Sequence, residues 1–413
     1  MNKIIGILLL WMQITLVYKG ECIYGSSANP YYLLCVSVLI PVYYFFLLLK
    51  NNIPAAAKPL TAFVYRLPGI MLGSICIFMC FPIFRNMLHD LPFPSTQSDV
   101  LPQLQGQYEA FARGDLPYYP LMQLPWHPYP VYMPLHWLPL GIGYLLHVDP
   151  RWSGYLLLVA AFSIVGYFTW KKEYTLTGKL IRVLLPVFVF YQSVMLDGID
   201  MAATFETVIA AYYLLLATGL AEKNLPLVTA GIICCVLSRY TLLFWLPLFL
   251  LLLWFNVSFK RNAAVWASII ISVLLLYIFP FYIRDPSVLK KGLAYHNNAA
   301  IYEWHLTQSY IFQTGVFFGG HMHELFQGSP EHKVFMARTV QASFMIVLFI
   351  VACALYRRWK KKINFYDFSL GMLHIFLLFF FMFGPLTYTY YYFSLLMVSA
   401  VICGRIALFE RKN

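Results

Sequence analysis

Apolar runs dominate the chain, and polar residues gather in the gaps between them. A helix needs about 20 apolar residues to cross a bilayer. Runs near that length recur at 3–19, 31–49, 66–85, 152–170, 182–196, 201–219, 225–238, 241–256, 263–283, 336–356, 366–383 and 387–408. The pattern predicts an all-α polytopic membrane protein with about twelve transmembrane helices, several of them short. Short spans are tolerable where neighbouring helices shield or thin the bilayer. The apolar stretch 134–148 does not fit as a full span and is expected as a re-entrant or interfacial segment. Two long polar stretches interrupt the pattern, 86–133 and 284–335, and connectors of that length are uncommon unless they carry function. Residues 1–65 read as an N-terminal membrane hairpin and 66–413 as one larger transmembrane domain.

Charge orients these elements. Lys50 to Arg66, Lys171 to Arg182, Lys260–Arg261, the run at 357–362 and the tail from Arg405 fall at alternate junctions, as the positive-inside rule requires of cytoplasmic segments. Both ends of the chain then lie inside, and 86–133 and 284–335 become two large outer-face loops. The sequon Asn256-Val257-Ser258 falls on the inner side. Composition agrees: the chain is 61% hydrophobic and 11% charged, against about 25% charged in soluble domains. The net charge of +12 therefore points to membrane lipids and sidedness, and nucleic acid is excluded as a partner. Cys76, Cys80, Cys234, Cys235, Cys353 and Cys403 lie in apolar segments, so they read as small hydrophobes with no disulfide framework. The basic start and apolar middle of 1–22 resemble a signal peptide but lack a small-residue cleavage site, so an uncleaved first span is expected.

The first outer loop holds Asp90, Asp99, Glu109, Asp115, His89 and His127. From Leu101 onward, Leu101, Leu104, Tyr108 and Phe111 share one helical face, with Gln103, Gln105, Gln107, Glu109 and Arg113 on the remainder. This predicts an amphipathic helix lying in the interface, capped by Ser98 and stopped at Gly114. Asp99 sits in its first turn, where the positive helix end favours a carboxylate. Such a group can either cap the helix or accept a proton from a substrate hydroxyl. Asp115 has the same ambiguity, with a stronger turn-forming reading between Gly114 and Leu116-Pro117. In the second loop, His321-Met322-His323 lacks a third ligand at a known spacing, so no metal site and no cofactor are expected. His296, His305, Asn297, Asn298, Gln308 and Gln313, with His127 and Tyr129 of the first loop, are candidates for contacts with substrate.

Several motifs in order carry a family likeness. Asp99, Tyr108 and Ala110, GDLPYYP at 114–120 and YPVYMPL at 129–135 resemble the first outer loop of the GT-C superfamily of membrane glycosyltransferases, most of all its polyprenyl-phosphate-mannose-type mannosyltransferases. LDGIDMAATF at 196–205 is similar to that family's Gly-Gln-x-Asn stretch, with Ile199 and Asp200 replacing Gln and Asn. SRYTLLFWLP at 238–247 and FYIRDP at 281–286 are similar to its later helix ends. The loop follows the third span here rather than the first, so an extra N-terminal hairpin must precede it. The resemblance covers roughly 66–400 and implies a GT-C-like catalytic domain. It implies an inverting, metal-independent sugar transfer at the outer face of a bacterial inner membrane. The donor would be a polyprenyl-phosphate-linked sugar, and the acceptor a polysaccharide, a protein or a lipid-linked glycan. Asp99 would be the catalytic base and Asp200 a substrate contact, with Asp115 and Tyr118 in the loop's supporting turn. Arg239 and Arg284, at outer helix ends, have the planar guanidinium suited to the donor phosphate. A polysaccharide polymerase or ligase, or a transporter or flippase of lipid-linked glycans, are the alternatives. No internal repeat of the transporter kind is evident, and the large acidic loop comes early in the chain, which favours the transferase.

Overall fold

The computed structural model describes residues 1–50, 66–91, 93, 98–121, 127–171, 174–306 and 309–409. Among these the chain is helical throughout, without strands. Eight helices are long and apolar enough to cross a membrane, which makes this a multi-pass integral membrane protein. The expectation was about twelve. The difference arises where one helix replaces two runs or where a helix is too short. α1 (Asn2–Leu49) covers the first two runs. α9 (Glu206–Glu222), α10 (Leu225–Val236) and α11 (Leu246–Asn256) have only 17, 12 and 11 residues. The basic segment 51–65, Gln308 and the end of the tail lie outside the described residues.

α1 folds back on itself. Gly25 adopts φ 77°, ψ 159°, a conformation essentially confined to glycine, and the two arms run antiparallel from it. Gln13 donates to Ser37 Oγ across the arms at 2.9 Å, and Tyr43 donates to Asn2 at 2.8 Å near their open end. Asn2 in turn donates to the Phe409 carbonyl at 3.1 Å, which ties the hairpin to the end of the bundle.

α2 (Leu67–Phe78) and α3 (Phe81–Asp90) lead up to the first loop region. α2 meets α7 at glycine faces: a Cβ at Gly166 would lie 1.9 Å from the Gly69 carbonyl oxygen, so only glycine permits this approach. The loop contains α4 (Val100–Ala112), α5 (Pro134–Trp137) and α6 (Leu140–Leu145). As expected, 134–148 does not form one long helix. Pro134 and Pro139 break it into two short helices whose Trp137 and Leu140 are buried while Leu145 and Leu146 stay exposed.

α7 (Trp152–Trp170) and α8 (Leu176–Thr204) follow, then α9, α10, a 3-10 turn (Tyr240–Phe244) and α11. α12 (Phe259–Val273) continues as a π-helix over Leu274–Tyr282. The second polar stretch contains α13 (Val288–His305), α14 (Tyr310–Gln313) and α15 (Gly319–Leu325). α16 (Pro330–Trp359), α17 (Phe365–Met382) and α18 (Tyr392–Ile406) complete the chain. α9, α17 and α18 form the buried centre, whereas α16 and α12 present most of their apolar surface outward. One end of the bundle gathers buried ion pairs: Arg182 with Glu222, and Asp367 with Arg405 at 3.2 Å. The opposite end carries both loop regions and the candidate site.

Candidate functional site

α4 brings Asp99 to a cavity at the loop end. Ser98 Oγ accepts the Val100 N–H at 3.1 Å, and Gly114, at φ 82°, ends the helix, with the Asp115 N–H closing onto the Ala110 carbonyl at 2.9 Å. The exposed face differs from the one periodicity suggests. Gln103 and Gln107 are buried and Phe111 is 42% exposed. The reason is hydrogen bonding. Gln103 donates to Asp99 at 2.9 Å and Gln107 to the Tyr132 carbonyl at 3.0 Å, so the polar side of α4 is turned into the protein rather than out to the interface.

The Asp99 carboxylate also accepts from the Tyr295 hydroxyl at 3.3 Å. Burial raises its pKa above the usual carboxylate range, while the bonds from Tyr295, its own backbone and Gln103 oppose that rise. It lines a cleft of about 630 Å³ together with Asp200, Tyr295, Asn298, Glu303, Tyr388 and Tyr390. Hydroxyls, an amide, carboxylates and ring faces alternate around it, with Tyr388 and Tyr390 stacked at 5.3 Å.

The second cavity, about 430 Å³, lies on the other side of α13. Tyr295 and Ala299 face the cleft, and their neighbours His296 and Ala300 face this cavity; Tyr390 and Tyr391 divide in the same way. Its walls are mainly apolar, from Val131, Phe244, Leu293, Phe380 and Leu386, yet Arg239, His296 and Arg338 open into it. Arg239 is spoken for. It makes a two-pronged pair with the fully buried Glu206, one bond at 2.9 Å, and its guanidinium stacks over Tyr391 at 4.6 Å. Phe205, just before Glu206, sits at φ 61°, a strained conformation of the kind that clusters at functional sites. Burial and the nearby Arg338 and Arg239 push His296 down to about 4, so it is neutral at pH 7. Arg338 forms no ion pair or hydrogen bond among the described residues. It is the uncompensated positive charge of this cavity.

Of the residues proposed from sequence, Asp99, Asp200 and Asn298 share the cleft, and Arg239 and His296 share the cavity behind it. The others lie elsewhere. Arg284 is exposed and touches only the Gly114 carbonyl, at 3.5 Å. That contact lies past the far end of α4, about 20 Å along the helix from Asp99 at 1.5 Å per residue. His127 is exposed with φ 41°, and His305 is exposed at the end of α13. Asp115 pairs with Arg113 at 3.1 Å on the surface. Tyr118 and Tyr129 are buried in the strap that follows, where Tyr118 donates to the Tyr132 carbonyl at 3.1 Å and Tyr129 to the Tyr118 carbonyl at 3.3 Å. His321 and His323 fall on a helix rather than a strand, and they diverge onto different aromatic neighbours.

Sequence reasoning missed Glu206, Arg338 and Tyr295, and also Arg151. Arg151 is buried and binds Asp149 at 2.6 Å and the Leu91 carbonyl at 2.7 Å, joining the end of α3 to the start of α7. A charge within an otherwise apolar run was the available signal for Glu206 and Arg338. Comparison of the chain with known protein families, curated proteins and solved structures finds no match.

Proposed function

We propose that this protein is a GT-C-type multi-pass membrane glycosyltransferase, acting at the outer face of a bacterial inner membrane. It moves a sugar from a polyprenyl-phosphate donor to a glycan, lipid-linked or protein acceptor. The observation that carries this reading is the pairing of two unlike cavities across one helix: a polar cleft with a half-buried carboxylate, and an apolar cavity with a free arginine.

The chemistry follows from that pairing. The apolar cavity suits the first isoprene units, and Arg338 suits the phosphate, with Arg239 held by Glu206 as a second, partly neutralised donor. The acceptor hydroxyl lies in the cleft and gives its proton to Asp99 as its oxygen attacks the anomeric carbon. The bond from that carbon to the phosphate oxygen breaks, and polyprenyl phosphate leaves with one more negative charge than the donor carried. A cation beside that oxygen is worth most at the moment the charge develops. Attack from the side opposite the leaving group inverts the anomeric centre. Desolvation makes Asp99 a stronger base than an exposed aspartate, and Tyr295 and Gln103 keep it ionised.

The test is direct. The purified chain in lipid nanodiscs, given short-chain polyprenyl-phosphate hexoses and a panel of glycan acceptors, should release polyprenyl phosphate. Asp99→Asn should lower turnover by about 10²–10⁴-fold, the usual worth of a general base. Full turnover in Asp99→Asn, or no release with any donor of the panel, would sink the proposal.

A further inference from the structure

A third, smaller cavity is formed where the tip of the α1 hairpin meets α14 and α15. Ser26 and Ser27 of the tip, Ser309, Gln313, His323 and Glu324 line it, with Phe312 and Phe317 supplying ring surface. Its volume is about 190 Å³. This is the scale of one sugar ring.

We infer that this cavity is a saccharide subsite, which holds the sugar next to the reacting one in a glycan acceptor of at least two units. Hydroxyl, amide and imidazole groups around a ring surface suit a neutral polyol, whose hydroxyls both donate and accept. Among the described residues no lysine or arginine lines the cavity and Glu324 does, so an anion is disfavoured. His323 Nε2 lies 3.0 Å from the Trp304 carbonyl. A carbonyl only accepts, so Nε2 is the donor of that bond.

Position links the subsite to the cleft. Ser309 lines the small cavity and the next residue, Tyr310, lines the cleft. The Ser309 hydroxyl also donates to Glu303, another wall residue of the cleft. A glycan whose terminal hydroxyl meets Asp99 therefore has its next ring beside this second opening. The link to an acceptor rests on the transferase reading; the saccharide site itself does not.

Gly320 gives a clean test, because a Cβ there meets nothing closer than 3.8 Å and a side chain can grow into the cavity without moving backbone. Glu324 is exposed, so Glu324→Gln tests the same site without touching the core. Saturation-transfer NMR on the full chain in micelles would use methyl mannoside, methyl N-acetylglucosaminide and a disaccharide of each. The disaccharides should bind, and both Gly320→Leu and Glu324→Gln should weaken them about tenfold, the loss expected for one or two hydrogen bonds. Binding lost in the two variants with no sugar transfer ever detected leaves the saccharide site standing and removes the transferase. No saccharide binding by the parent chain, or disaccharide affinity in both variants equal to that of the parent chain, overturns the subsite whether or not transfer is seen.

Discussion

Tyr295 is the group that holds the candidate base in its ionised form from outside its own helix. Its hydrogen bond lowers the pKa of Asp99, so Tyr295→Phe should let desolvation act further and raise it. A base works when deprotonated. The acid limb of the pH–rate profile should therefore move to higher pH in Tyr295→Phe, and a limb that stays put or moves down would count against Asp99 as the base. The two arginines of the apolar cavity should separate in the same spirit. Arg239→Leu strands the buried Glu206 carboxylate, a loss of about 3–5 kcal/mol in stability. Arg338→Leu strands nothing, so the thermal midpoint should hold while kcat/KM falls about 10–100-fold, the worth of one charged hydrogen bond. Thermal unfolding and donor kinetics on both variants check this. Asp99 was legible in the sequence because a carboxylate at a helix start inside a polar island is conspicuous. Arg338 was not, because a single arginine near a helix end reads as a snorkelling side chain until its missing partner is known.

At the scale of elements, apolar run length anticipated where long helices lie, since backbone groups in lipid must be satisfied within the helix. It could not anticipate how α4 is rotated. Its glutamines are paired with Asp99 and with the Tyr132 carbonyl, and no periodicity reports a hydrogen bond to a residue 25 positions away. In 134–148, two prolines outweigh an apolar composition. The turn of α1 is a place where one residue decides. Nothing lies within 4 Å of a Cβ at Gly25, so the cost of Gly25→Ala is purely that of its backbone angles. That should be about 1–3 kcal/mol, read as a lowered thermal midpoint. A neutral Gly25→Ala would mean that the hairpin turns elsewhere.

The whole molecule has two unlike ends, and the alternation of Lys and Arg clusters in the sequence already separates them. The proposed orientation can be checked on cells. Cys22, exposed close to the Gly25 turn, should react with a membrane-impermeant thiol reagent applied from outside. A Lys361→Cys chain, with the new thiol beyond α16 at the opposite end, should gain a second labelled site only after permeabilisation. Reversed labelling would turn the proposed site to the cytoplasm. The placement of the two cavities was out of reach from sequence, because it depends on α13 lying between them.

The bond from Asn2 to Phe409 spans 407 positions of chain, and it has a meaning in time. The hairpin leaves the ribosome well before α18, which supplies much of its packing surface. Gln13, buried in the finished bundle beside His374, must wait in lipid or against a temporary neighbour until α17 arrives. Insertion and assembly are therefore separate events for this chain. A ribosome stalled before α17 should leave an inserted but protease-sensitive intermediate, whose protection comes abruptly with the final two helices.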